Sequence, residues 1–152
     1  MWKKISFYIV WILGFQAVSI FIGLQHKDRL TGWYTFLQKS SLTPPGYVFS
    51  IVWPLLYVCL AIVGCWLWMS SLKETRLLFW GQMLLNWSWT TVFFRLHSIL
   101  ISWVMILVMI LLTLIIIYDL YHKNKKIALL LLPYEGWLLF ASYLNLYIWL
   151  YN

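Results

Sequence analysis

The sequence predicts an all-α membrane protein, five transmembrane helices in one bundle. Three observations carry that expectation. Of 152 residues, 64% are hydrophobic and only 10% charged, more apolar surface than a soluble fold of this size could cover. The apolar residues fall into five blocks of about 20, the length a helix needs to cross a bilayer. Segments of short alternating hydrophobicity, which a membrane barrel requires, are absent. One domain, 1–152, accounts for the chain, with no room for a second.

The first block, about 5–24, follows Trp2-Lys3-Lys4 and contains Ala17-Val18-Ser19, a poor cleavage site. A signal peptide would have a shorter apolar run, so a retained helix is the favoured reading. The second block, about 47–69, starts after Thr43-Pro44-Pro45-Gly46, where two prolines stiffen the chain and bias Thr43 away from helix. The remaining blocks cover about 77–94, 99–118 and 127–150. Backbone groups in lipid must pair within their own segment, so each block should be helical. The one long connection, about 25–46, holds Gly32-Trp33-Tyr34. Its length and its aromatics suit a lid or binding loop better than a solvated tether.

Net charge is +7, and nearly all the Lys and Arg residues lie between the blocks. That distribution reflects topology and anionic lipid, and no basic-aromatic patch argues for nucleic acid. Lys3, Lys4, Lys73, Arg76, Lys123, Lys125 and Lys126 fall on one side, and Lys27, Arg29, Lys39 and Arg95 on the other. The imbalance favours an amino terminus inside the cell membrane. Cys59 and Cys65 are six residues apart in one block, on different helix faces, which argues against a mutual disulfide. His26, His97 and His122 are scattered, and no metal-ligand spacing appears.

Inside the blocks, Asn86 and Asn145 sit among tryptophans. An amide in hydrocarbon is costly unless it meets a partner, a cavity or a ligand. Gln82, Asn86, Trp89 and Phe93 recur at helical spacing, as do Phe49, Trp53, Leu56 and Leu60. The stripe Tyr134, Leu138, Ala141 and Asn145 lies beside Trp137, Ala141 and Leu144. Antiparallel helices would bring these stripes together in the half of the bundle nearest the long connection. Two readings stand level here: an aromatic ligand pocket, or amides that hydrogen-bond across helices as packing glue. Trp2, Trp66, Trp68, Trp103 and Trp149 read as interfacial anchors. Glu135 reads as a snorkelling or paired carboxylate. The polar residues assemble no nucleophile triad, phosphate loop or carboxylate pair, and binding is the default.

Trp33-Tyr34, Leu37, Lys39, Pro44-Pro45, Phe49, Val52-Trp53, Leu56-Tyr57, Leu85-Asn86, Trp89 and Phe93-Phe94 occur in an order and spacing that are distinctive together. Pro133-Tyr134, Trp137, Phe140-Ala141, Tyr143-Leu144-Asn145, Trp149 and Asn152 complete the set. With these residues the chain resembles the tryptophan-rich sensory protein family, whose eukaryotic members are translocator proteins or peripheral benzodiazepine receptors. The resemblance implies a five-helix membrane fold, often dimeric, that binds porphyrins such as protoporphyrin IX beneath the first connection. It implies ligand contacts at Trp53, Asn86, Trp89, Trp137, Ala141 and Asn145, and Trp33, Tyr34, Pro44 and Pro45 of the long connection and Phe93 of the third block's stripe complete the candidate ligand-binding set. No cofactor is required, and the porphyrin is the ligand.

The resemblance also implies an alternative, light-dependent porphyrin breakdown with Trp53 and Trp137 as redox residues. A passive scaffold is a third reading. Departures from the family pattern include Ser40, Leu42, Tyr47, Ala61, Arg95 and Glu135-Gly136. No Lys or Arg follows Tyr147, so sterol binding is not predicted. Porphyrin carboxylates are expected to meet Lys27, Arg29, Lys39 or Arg95.

Overall fold

A computed structural model describes residues 2–26 and 32–152, with the backbone alone for 2–4, 25 and 26. The Lys3, Lys4, Lys27 and Arg29 side chains and the side chain of Trp2 therefore lie outside the described residues. All regular elements among the described residues are helices: α1 (Trp2–His26), α2 (Trp33–Phe36), α3 (Gly46–Met69), α4 (Lys73–Phe94), α5 (Ile99–Lys123), α6 (Lys125–Leu129) and α7 (Leu132–Tyr151).

Among the described residues, four stretches are long and apolar enough to cross a membrane: Ile5–Leu24, Gly46–Met69, Ile99–Lys123 and Lys125–Tyr151. The fifth long helix, α4, has 22 residues, about 33 Å of length, but is less apolar than the others. It carries Gln82, Asn86, Ser88, Thr90 and Thr91, and buries the first two. The expected fifth block, 127–150, is two helices. Pro133 stands at the start of α7 and has no N–H to return to the Leu129 carbonyl, so the α-helical ladder cannot run through it. Hydropathy alone gave no sign of the break.

Packing runs α1 on α3, α4 on α5 and α5 on α7, with α3 also touching α4, α6 and α7. The core is filled by Leu56, Leu60, Val63 and Leu67 of α3, Phe79 and Met83 of α4, and Ile106, Met109, Ile116 and Leu120 of α5. Gly64 lets α1 and α4 approach α3, because a Cβ there would lie 2.9 Å from both Phe79 Cε1 and Trp11 Cζ3. Inside α3, Pro54 has no N–H to donate, and its carbonyl accepts Gln16 Nε2 of α1 at 2.8 Å. Cys59 and Cys65 are both free thiols.

Candidate functional site

The long connection returns to the bundle at the end where α3 starts and α4 and α7 finish. Its short helix α2 carries Trp33 and Tyr34. Both rings sit against the end of α4: Trp33 meets Phe93 at 5.7 Å, and Tyr34 meets Phe93 at 6.0 Å and Phe94 at 5.4 Å. Trp89 stacks on Phe93 at 5.1 Å with only 10° between planes. Its indole N–H donates to the Ser102 carbonyl of α5 at 3.1 Å. His97, in the α4–α5 turn, stacks on Trp33 at 4.2 Å.

A second aromatic group belongs to α3 and α7. Trp53 and Trp137 meet edge to face at 6.4 Å, and Phe49 closes on Trp137 at 5.6 Å. Trp53 in turn touches Tyr57, 5.8 Å away. The candidate tryptophans thus form two groups, Trp33 with Trp89 and Trp53 with Trp137. All four rings are half-buried, as is Ala141.

Polar side chains lie below. Tyr57 Oη donates to Asn86 Oδ1 at 2.7 Å, and Asn86 Nδ2 donates to Tyr134 Oη at 2.9 Å. Gln82 Nε2 donates to the same tyrosine oxygen. With both of its polar atoms paired inside the protein, Asn86 joins α3, α4 and α7. Asn145 differs: it is 3% exposed and neither amide atom has a partner among the described residues.

The connection is fastened to α7. Asn152 accepts the Gln38 N–H at 2.8 Å through Oδ1 and donates to the Gln38 carbonyl at 3.1 Å through Nδ2. Ser40 Oγ and Tyr143 Oη share a hydrogen bond of 2.8 Å. Lys39, expected to await a ligand carboxylate, donates to the Tyr34 and Leu37 carbonyls at 2.8 and 3.1 Å and covers the Tyr34 ring. Burial raises the Tyr34 phenol above its ordinary pKa, so it stays neutral. Pro44 is half-buried, and Pro45 is the exposed residue that precedes α3.

Two clefts, of about 320 and 500 Å³, open at the opposite end of the bundle. Leu72, Glu74, Thr75, Tyr118, Asp119, His122 and Lys123 line the first, and Tyr8, Trp66, Met69 and Ser70 the second. The candidate site residues line neither.

Residues 7–150 match the model of the TspO/MBR family. The chain belongs to that family. It is 37% identical over 144 residues to a tryptophan-rich protein TspO of Archaeoglobus fulgidus, covering 93% of this chain and 94% of the relative. It is 31% identical to the human translocator protein over 88% of this chain and 83% of the relative. Protein CrtK of Rhodobacter capsulatus is 31% identical over 79% and 78% of the two chains. As a TspO/MBR protein with four spans of sufficient apolar length, it is an integral, multi-pass membrane protein, and membership supports a sensing or binding role in the membrane.

For this TspO/MBR protein, sequence reasoning named Tyr57, Tyr134 and Asn152 without their hydrogen bonds and did not name Gln38. Gln38 and Asn152 fasten the long connection to the end of α7, and Tyr57 and Tyr134 satisfy Asn86. A signal for the tyrosines existed: each lies well inside an apolar block, where a phenol needs a hydrogen-bond partner.

Proposed function

We propose that the protein is a membrane receptor or sensor for tetrapyrroles of the protoporphyrin IX type, taken up beneath the lid. The observation that carries the reading is the Trp53–Trp137 pair, edge to face at 6.4 Å and half-buried. It lies beside the hydrogen-bonded Tyr57–Asn86–Tyr134 group and on the lid side of the bundle. A flat aromatic macrocycle placed against these indoles gains apolar burial and about 0.5 to 1.5 kcal/mol per well-oriented ring pair. Asn145, with an unpaired amide, is the polar group that could fix its orientation. Asn86 acts indirectly in this reading, by holding α3, α4 and α7 in register.

The test is titration of the purified protein with protoporphyrin IX, followed by porphyrin absorbance. Replacing Trp53 and Trp137 together by Ala should weaken binding about tenfold or more, the loss of two such ring contacts. Unchanged affinity in a variant that melts like the parent would place the ligand elsewhere.

The neighbouring indoles also favour a second reading, light-dependent porphyrin breakdown in air with Trp53 and Trp137 as redox residues. Illumination of the loaded protein decides it, since equal pigment loss in the Trp53→Phe, Trp137→Phe double variant removes their redox role. Homodimer formation belongs to the same proposal and is read from the mass of the detergent-solubilised particle.

A further inference from the structure

Among the described residues, five buried side-chain polar atoms have no hydrogen-bond partner: Trp87 Nε1, both carboxylate oxygens of Glu135 and both amide atoms of Asn145. The last four belong to one stripe of α7. Glu135, Leu138, Ser142, Asn145 and Trp149 follow one another at alternating helical steps of three and four, which keeps them on one face.

That face looks at α5. Trp103 Nε1 of α5 donates to Ser142 Oγ at 3.1 Å, and the Trp103 ring stacks on Trp149 at 6.2 Å with 5° between planes. The helices run antiparallel, so two turns from Ser142 Glu135 comes level with about Ile110 of α5. Trp137 points instead to α3, where it meets Phe49 and Trp53. The stripe is therefore distinct from the aromatic face of the proposed tetrapyrrole site, and Asn145 alone is common to both.

Glu135 is 6% exposed and Asn145 3%. The buried face of α5 offers Ser102, Ile106, Met109, Thr113, Ile116 and Leu120, none of them charged. A carboxyl group enclosed this way with nothing to bond is expensive, and so is an amide. Native proteins meet such groups with ordered water, which makes two to four bonds to polar atoms too far apart to reach each other.

We propose that the α5–α7 seam is a hydrated site. Water bridges Glu135, Ser142 and Asn145, and Glu135 exchanges protons with it. The break between α6 and α7 gives water a way in, because Pro133 leaves the Leu129 carbonyl without its helical donor. From Lys125 to Glu135 the helical rise is only about 15 Å. The seam would carry water and protons from the Lys125 end to the Asn145 amide at the lid-side half.

Thiol accessibility tests this without any tetrapyrrole, so its failure is separable from failure of the ligand proposal. In a Cys59→Ala, Cys65→Ala background, Glu135→Cys and Asn145→Cys should react with a charged, water-soluble thiosulfonate. Leu139→Cys, on a face that is 56% exposed toward the lipid, is the slow reference. A hydrated seam predicts reaction about tenfold or more faster at both positions than at the reference, since only a hydrated thiol ionises and attacks. Rates at both positions no higher than the reference would overturn the proposal. Glu135→Leu supplies an independent reading should a cysteine variant fold poorly. It should melt at or below the parent temperature if the seam is wet, and a clear rise in melting temperature would show a dry seam and overturn the proposal.

Discussion

Tyr134 holds together the polar group that Asn86 enters. Its oxygen receives Gln82 Nε2 and Asn86 Nδ2, while Tyr57 supplies the proton for Asn86 Oδ1. Tyr134→Phe would strand two buried amide donors at about 1 to 3 kcal/mol each. Tyr57→Phe strands one carbonyl oxygen, so thermal melts in detergent should show Tyr134→Phe as the more damaging variant; the reverse order would mean that the amides find other partners. Gly64 gives a steric counterpart. An added methyl at 2.9 Å from two rigid rings, those of Phe79 and Trp11, should cost about 1 to 3 kcal/mol. At Gly81 a Cβ meets nothing within 4 Å, so Gly81→Ala should leave the melting temperature unchanged or raise it slightly through helix propensity. The amides at 86 and 145 were legible as residues needing a partner. Which partner was not legible, because spacing fixes a helical face but not the side chain across from it.

The connection between α1 and α3, the lid of the proposed site, is the element whose fastening can be loosened one bond set at a time. Asn152 pairs with both backbone groups of Gln38 and also donates to the Ile148 carbonyl at 2.8 Å, which anchors its own side chain. Asn152→Ala removes these bonds together, leaving Ser40–Tyr143 and the α2 rings against α4. Amide hydrogen exchange should accelerate at Gln38 and its neighbours and stay unchanged in α5; equal exchange in both proteins would show that the ring contacts alone hold the lid. His97 secures the other end at a local cost, since its φ of 52° lies in the left-handed region, which a side chain enters with strain. Its ring stacks on Trp33 at 4.2 Å. The start of α3 was legible in Pro44-Pro45-Gly46. The α6–α7 break was not read, since the apolar run continues across Pro133 and hydropathy is blind to a missing N–H.

For the whole molecule, composition and block length were enough to give helices in a membrane, because lipid leaves the backbone few other options. The lateral order of the helices was hidden. Apolar faces resemble one another, and the contact between α1, α3 and α4 includes Trp11 and Phe15 of α1, Tyr57 and Trp68 of α3, and Phe79, Trp80 and Trp87 of α4, rings whose pattern did not announce a cluster. Orientation is a property of the entire chain. Among the described residues, Lys73, Arg76, Lys123, Lys125 and Lys126 stand at the end bearing the α3–α4 and α5–α6 connections, and Lys39 and Arg95 at the opposite end; by sequence order Lys3 and Lys4 add to the first group and Lys27 and Arg29 to the second. The excess should keep the former end in the cytoplasm, which puts the lid outside. Ser41 lies in the lid connection and Ser71 in the α3–α4 connection, and both are exposed. In cells expressing a variant without native cysteines, Ser41→Cys should be labelled from outside by a membrane-impermeant maleimide. Ser71→Cys should be labelled only after the membrane is opened. The opposite pattern would turn the bundle over, and tetrapyrroles would then meet the lid from the cytoplasmic face.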